Sequence, residues 1–165
     1  MASYLARKTT QMKKVILTYG LIAGIFVSAM MLMSLAFKDS FDMTTGMIYG
    51  YATMIMAFSM IFVAVRQYRN KFLGGSISFG KAFLIGLGIT LIAAIFYVIT
   101  WEIEFRFFIP EFIDEFVKVI PDPKEAAAYA TKYKNPVFRI PTTFMEIFPV
   151  GLVISLICAA VLRKK

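Results

Sequence analysis

Three stretches of this chain run for 19 to 23 residues without a charged side chain: residues 15–37, 47–65 and 82–101. An α-helix rises about 1.5 Å per residue, so about twenty apolar residues cross the roughly 30 Å hydrocarbon core of a bilayer. A fourth apolar stretch, residues 142–162, has a similar length but contains Glu146. Because a helix satisfies its backbone polar groups within one segment, the pattern predicts an all-α integral membrane protein with four transmembrane helices.

The overall composition agrees with lipid as the solvent of these helices. Hydrophobic residues make up 59% of the chain, against roughly 45–50% in a soluble domain. The chain has no histidine and a single cysteine, which excludes an internal disulfide and a Ser-His or Cys-His catalytic pair, and argues against a zinc site. We therefore predict no cofactor, no metal and no catalytic residue. The net charge of +8 lies at the ends of the apolar stretches, which predicts the lipid bilayer and not nucleic acid as a partner.

Basic side chains cluster beside the apolar stretches, where they predict the orientation of the chain. The loop between the second and third stretches carries four of them and no acid: Arg66, Arg69, Lys71 and Lys81. The first fourteen residues also carry four, and the last three residues are all basic, again without an acid. Residues 102–140 instead mix six basic with seven acidic residues. By the positive-inside rule, we expect both termini and the four anchors in the cytoplasm, and residues 102–140 outside.

Residues 102–140 have a helical pattern of their own. Four phenylalanines recur there at spacings of three and four residues: Phe105, Phe108, Phe112 and Phe116. Such spacing places them on one face of a helix, and we predict helix over about residues 111–119 in a partly helical extracytoplasmic segment. The phenylalanine face either lies along the membrane surface and the mouth of the bundle, or binds a partner protein.

Glu146 is the one acid within the four predicted transmembrane stretches, about one turn from the outer end of the last. An ionisable side chain in lipid is costly, so it indicates a functional or a paired carboxylate. Arg139 or Arg106, on the same side of the membrane, can supply the partner. Pro149 lacks a backbone donor and frees a carbonyl nearby. Glu146 is therefore the candidate functional carboxylate, with a structural carboxylate at the interface as the favoured alternative.

Two G-x-x-x-G pairs are candidate helix-packing surfaces: Gly20 with Gly24, and Gly46 with Gly50. Glycines four residues apart let another helix approach closely. We favour packing inside the four-helix bundle, because each helix already has neighbours, and a homo-oligomer through these glycines is the alternative. Residues 75–82 read G-x-x-x-x-G-K-A, which lacks the Ser or Thr of a phosphate-binding loop and predicts a turn with a lysine anchor instead.

Three segments carry a family resemblance: YRNKFLGGSISFGKAFLIG at residues 68–86, IPEFIDEF at residues 109–116 and FPVGLVISLICAAVLRKK at residues 148–165. The chain resembles, through them, the uncharacterised bacterial family called domain of unknown function 4199. The resemblance implies a four-span protein of the bacterial cytoplasmic membrane and brings no catalytic residue. Since it begins near Met12, either Met12 or Met1 is the start of the protein.

These patterns predict a cytoplasmic tail over residues 1–14 and one membrane domain over residues 15–165. We expect a non-enzymatic accessory or interaction protein, which binds a partner through its outer segment or the faces of its bundle. A small transporter or channel subunit is the alternative, but the first three stretches lack the ionisable residues that transporters place at mid-bilayer. A lipid-acting enzyme is less favoured, because Glu102, Glu104 and Glu146 are few and scattered.

Overall fold

The computed structural model of the chain describes residues 2–37 and 42–164. These residues form six α-helices and one short 3-10 helix, with no β-strand among them: α1 Ala2–Ala36, α2 Met43–Phe72, α3 Phe79–Phe107, α4 Phe112–Phe116, the 3-10 helix Val117–Val119, α5 Pro123–Tyr133 and α6 Pro136–Leu162. Four of the helices (α1, α2, α3 and α6) are long and apolar enough to cross a membrane. The predicted all-α fold with four transmembrane helices is therefore confirmed.

Each long helix extends beyond the apolar stretch that predicted it. α1 begins at Ala2, because the first fourteen residues contain neither glycine nor proline to stop a helix. α3 continues far enough to include Glu102 and Glu104, and α6 begins at Pro136. Lysine, arginine and glutamate are good helix formers and continue α1, α2 and α3 beyond their apolar stretches. Pro136 suits the first turn of α6. The sequence predicts a short turn over residues 38–46; α2 already begins at Met43, and residues 38–41 lie outside the described residues.

The four long helices pack in the order α1, α2, α6, α3 around the bundle, and α3 also contacts α2 across it. α1 and α3 run parallel, with one predicted glycine pair between them. A Cβ atom added to Gly20 would lie 2.7 Å from Cδ1 of Ile92, and one added to Gly24 would lie 2.7 Å from Cγ of Phe96. Because such short contacts require a neighbour to shift, glycine lets α1 approach α3 closely. This glycine pair packs within the monomer.

α3 and α6 run antiparallel and meet through small residues that the sequence analysis did not select. A Cβ atom added to Gly86 would lie 2.6 Å from Oγ of Ser155. Ser155 Oγ donates to the Gly151 carbonyl at 2.7 Å and lies 3.4 Å from Oγ1 of Thr90. Small side chains bring the two backbones together and hydrogen bonds hold them in the absence of water. The signal available in the sequence was small residues four apart on each helix.

One end of the bundle gathers the N-terminal part of α1, the connector 73–78 and the end of α6. Arg69 Nη1 donates to the Leu162 carbonyl at 3.2 Å, which joins α2 to α6. Ile77 and Lys164 exchange two backbone hydrogen bonds of 3.0 Å. We call this the basic end. The opposite end, where the chain passes from α3 to α6, is the aromatic end.

Candidate functional site

Residues 108–135, the connecting segment, fold over the aromatic end as α4, the 3-10 helix and α5. Six rings from α3, α4 and α5 pack there as the aromatic cluster: Trp101, Phe105, Phe112, Phe116, Tyr129 and Tyr133. The ring centroids of Trp101 and Phe112 are 4.9 Å apart, edge to face, and those of Phe105 and Tyr133 are 5.6 Å apart. Such pairs contribute about 0.5–1.5 kcal/mol each beyond their burial, so the connecting segment is fixed to the bundle.

The predicted phenylalanine face is divided between this cluster and the surface. Phe105, Phe112 and Phe116 belong to the aromatic cluster. Phe108 is instead 54% exposed. The predicted helix over about residues 111–119 consists of α4 followed by the 3-10 helix. Of these four phenylalanines, Phe108 is thus the one most open to a partner or to lipid.

Arg139, near the start of α6, is 3% exposed beneath the connecting segment. Its guanidinium donates to both carboxylate oxygens of Glu102, at 2.6 and 2.7 Å, and its Cζ lies 4.2 Å from the ring centroid of Phe105. It also donates to two backbone carbonyls at the end of α5. Because a planar guanidinium can make these bonds at once, Arg139 joins α3, α5 and α6. The structure thus pairs Arg139 with Glu102 and not with Glu146.

Tyr133 lies at the end of α5, buried in the aromatic cluster. Its Oη atom accepts a hydrogen bond from Nε1 of Trp101 at 2.9 Å. Burial first, and then the nearby carboxylate of Glu146, raises the pKa of Tyr133 to about 12. The hydroxyl group therefore stays protonated at neutral pH and serves the packing of the aromatic end.

Glu104 is 2% exposed, on the inward face of the last turns of α3. Its Oε1 atom has no hydrogen-bond partner among the residues that the structure describes. Burial of a carboxylate is costly unless it binds a proton or meets a cation. The sequence offered one signal of this burial, since Glu104 follows the buried Ala93 by eleven residues and so lies on the same face of α3.

A groove of about 490 Å³ runs along the aromatic-end half of α6. Six residues line this α6 groove: Val137, Phe138, Pro141, Thr142, Met145 and Glu146. The Glu146 side chain is exposed, and Tyr97 donates to its Oε2 atom at 3.3 Å. Trp101 ends the uncharged stretch of α3, and tryptophan favours the membrane interface. Tyr97 lies one helical turn, about 6 Å, closer to the bundle centre, which places Glu146 inside the bilayer near its interface. The carboxylate therefore opens onto a lipid-facing surface.

Of the other predicted residues, the orientation anchors lie at the basic end, and Gly46 and Gly50 lie near the start of α2. Three of the four orientation anchors are exposed at the basic end: Arg66, Lys71 and Lys81. Arg69 is half-buried against the end of α6. A Cβ atom added to Gly46 or Gly50 would have no atom within 4 Å, so this glycine pair has open space beside it, in contrast to the pair on α1.

Comparison with known proteins adds a family and no activity. A family model described as "Protein of unknown function (DUF4199)" matches residues 18–164. No curated protein and no solved structure matches the chain. Within residues 2–37 and 42–164, no three His, Cys, Asp or Glu side chains come together in a way that could hold a metal ion. Interpretation of the site therefore depends on its geometry.

Proposed function

The chain belongs to the family described as Protein of unknown function (DUF4199), and we propose that it is a non-enzymatic accessory protein that binds a second membrane protein through its α6 groove. Its four long apolar helices make it a multi-pass membrane protein. One observation carries the proposal: the exposed carboxylate of Glu146 lies in a largely apolar groove on α6, about one helical turn inside the interface that Trp101 marks.

The carboxylate of Glu146 is under-bonded for its surroundings. Acyl chains offer no hydrogen-bond donor, and the described hydrogen bond from Tyr97 is long, at 3.3 Å. Polar groups inside a membrane are stabilised by partners on neighbouring helices. A transmembrane helix that carries a lysine, arginine or hydroxyl side chain at this depth would supply the missing donor.

A second acceptor lies in the same groove. Pro141 has no backbone N–H, so the carbonyl of Val137, four residues earlier, lacks its intrahelical donor. The groove therefore combines exposed apolar side chains with two acceptors and no charged donor of its own. This chemistry favours a partner helix that bears donors over a purely apolar one.

The groove is also rigid before any partner arrives. Arg139 fixes the start of α6 to Glu102 on α3 through two charge-assisted hydrogen bonds. Phe138, in the groove wall, packs edge to face against Tyr129 of the aromatic cluster, with centroids 5.9 Å apart. Preorganised surfaces lose less conformational entropy on binding, which supports a binding role for this face.

Photocrosslinking in native membranes tests the proposal. A photoreactive amino acid replaces Met145, which is 61% exposed in the groove, or Ile99, which is exposed on α3 at nearly the same depth and serves as the matched control. We expect one heterologous membrane protein to be trapped from Met145 and not from Ile99. Glu146→Gln should weaken this trapping while the protein remains folded and inserted.

Exchange of the charges on Glu146 and on its partner residue tests whether the trapped protein binds in the α6 groove. Glu146→Lys should abolish trapping, and replacement of the matching basic residue in the captured helix by glutamate should restore it. Equal trapping from Met145 and Ile99 would refute a groove-specific partner. Trapping of a second copy of this chain, detected with two differently tagged copies, would replace the accessory role by a homo-oligomer.

A small transporter or channel subunit is the second candidate, and the burial of Glu104 favours it. Glu104 lies at the aromatic-end mouth of the bundle, three residues beyond Trp101, and a buried carboxylate whose Oε1 atom lacks a described partner can take up a proton or a cation there. If this function holds, purified protein in liposomes should accelerate proton or sodium flux, and Glu104→Gln should abolish the increase. Flux equal to that of empty liposomes would refute the transporter function, and the accessory role would remain as the proposed function.

We also propose that the basic end faces the cytoplasm of a bacterial cell and that the aromatic end faces outward. The concentration of lysine and arginine at the basic end supports this orientation, because basic segments are retained on the cytoplasmic side. Reporters fused after Lys71 and after Lys165 should both be active only in the cytoplasm. A periplasmic signal at either position would refute the orientation.

A further inference from the structure

An open cavity of about 790 Å³ lies at the basic end, far from the α6 groove. Its polar lining consists of four basic side chains and two serines: Lys8, Lys81, Arg163, Lys164, Ser76 and Ser78. These residues come from α1, the connector 73–78, α3 and the segment after α6. The fold therefore gathers cations that lie far apart in the sequence.

Backbone geometry holds this cavity in place. Gly74 and Gly75 adopt φ values of +68° and +96°, in the left-handed region that side chains disfavour, and so turn the connector back over the bundle. Ile77 then exchanges two backbone hydrogen bonds with Lys164. This pairing fixes the segment after α6 against the connector, and it holds the lysine and the neighbouring arginine at the cavity.

The N-terminus of α3 opens into the same place. Ser78 is the N-cap residue, but its side chain makes no capping hydrogen bond. The first-turn N–H groups and the positive end of the helix dipole favour an anion here, and Lys81 lies in the same turn. Gly80 also lies inside α3, so the G-x-x-x-x-G-K-A pattern does not form the loop of a nucleotide-binding site.

Lys81, Arg163 and Lys164 lie in parts of the sequence that encode no carboxylate side chain. Residues 1–38, 43–101 and 147–165 contain neither aspartate nor glutamate. The three ion pairs found among the described residues all lie at the aromatic end. The side chains that line the cavity therefore carry an excess of positive charge, which attracts anions, and at the end of a membrane-spanning bundle the nearest anions are lipid headgroups.

We propose that the cavity binds the headgroup of an anionic phospholipid, with a phosphate near the N-terminus of α3 and Lys81. Phe79 lines the cavity, is 39% exposed, and stacks on Phe83 with centroids 6.2 Å apart. Leu84, further along α3, is also exposed. Leu84 follows Lys81 by three residues and so shares its side of α3. Acyl chains of the bound lipid lie along this lipid-facing side, with Phe79 at the edge of the cavity. A free phosphate would leave this surface unused.

Native mass spectrometry of the full-length protein tests the site. The protein is equilibrated with an equimolar mixture of phosphatidylglycerol and phosphatidylcholine, and retained lipid is counted. Wild type should retain phosphatidylglycerol preferentially. Lys81→Gln with Lys164→Gln should reduce retention at least about tenfold, because each basic side chain near an anionic lipid contributes roughly a fivefold factor.

Arg66→Gln with Lys71→Gln is the matched control, since it removes the same charge from the same end without touching the cavity lining. It should reduce retention about twofold or less, because Arg66 and Lys71 lie outside the cavity lining and the attraction of a charge falls off within a Debye length. Lys81→Arg should retain binding, because it keeps the charge. Equal losses in the two double variants would show unspecific attraction and overturn the site.

A labelling experiment on the wild-type protein covers the case in which the cavity variant does not fold. A photoreactive phosphatidylglycerol with the reactive group near its phosphate should label residues 73–81, and a matched phosphatidylcholine should not. Inorganic phosphate in large excess should fail to block the labelling. Labelling by both lipids alike, or block by phosphate alone, would refute a phospholipid site.

Discussion

The two ends of the bundle differ in how their basic side chains are paired with carboxylates. At the aromatic end, the described ion pairs each join a basic residue to a carboxylate of the protein: Glu102 with Arg139, Asp114 with Lys134, and Glu115 with Lys118. Rings pack around the most buried of them. At the basic end, lysines and arginines surround a cavity, and the parts of the sequence that line it, within residues 1–38, 43–101 and 147–165, contain no aspartate or glutamate.

Because of this difference, the aromatic end should contribute to stability and the basic end should respond to the membrane. The aromatic end is closed by contacts within the protein, so its contribution to folding should depend little on lipid. Around Lys81, Arg163 and Lys164 the sequence encodes no aspartate or glutamate, so the order of the basic end should depend on anions at the membrane surface. Substitutions at the aromatic end should therefore change stability, and substitutions at the basic end should change lipid binding; four predictions test this contrast.

The largest effect should come from Arg139→Leu at the aromatic end. Loss of one partner leaves Glu102 and two carbonyls of α5 without their donor, and removal of one member of a buried ion pair costs about 3–5 kcal/mol. We expect that decrease in the free energy of unfolding, measured in mixed detergent micelles. The double variant Glu102→Leu, Arg139→Leu should lose less, and an equal loss would show that the pair itself matters little.

Tyr133→Phe should give the next largest effect. It leaves the Nε1–H of Trp101 without its acceptor, which costs about 1–3 kcal/mol for a buried donor. The pKa of Tyr133 is raised from its ordinary 10.0 to about 12. The stabilisation of the folded state by the protonated hydroxyl group is therefore complete below pH 10 and is lost as the pH rises through 12. Stability of the wild type should fall more steeply over this interval than that of Tyr133→Phe, and parallel curves would contradict a buried hydroxyl group.

Gly75→Ala should disturb the basic end by a smaller amount. The φ value of +96° at Gly75 disfavours a side chain, and such a conformation costs roughly 1–2 kcal/mol. Gly80→Ala is the matched control, because Gly80 lies within α3 with open space around it. We expect Gly75→Ala alone to lower the preference for phosphatidylglycerol. Equal lipid retention in both variants would show that the conformation of the connector does not affect lipid binding in the cavity.

The smallest effect should come from Lys118→Gln. Its ion pair with Glu115 is largely exposed, at 66% and 62% of the two side chains, and pairs of this kind contribute about 0–1 kcal/mol. The free energy of unfolding should therefore change by less than about 1 kcal/mol. A loss similar to that of Arg139→Leu would mean that the connecting segment is held by its surface charges and not by its buried core.

The structure also shows which features of the fold could be predicted from the sequence. Residues 15–37, 47–65 and 82–101 identified three transmembrane helices because the bilayer sets one required length. The glycine pair of Gly20 and Gly24 was found because its spacing matches one face of a helix. The pattern of Gly46 and Gly50 is identical, yet it meets open space. Local spacing cannot show which face of a helix its neighbour covers.

By itself, the sequence determined the class of the protein, its four crossings and the charge contrast between its two ends, since hydrophobic length and charge position are local properties. The tertiary structure decided that Arg139 pairs with Glu102, that Glu146 opens onto the α6 groove, and that Lys81 and Lys164 meet at one cavity. These contacts join residues far apart along the chain. Their pairing depends on the packing angle and register of whole helices, which no local pattern of residues specifies.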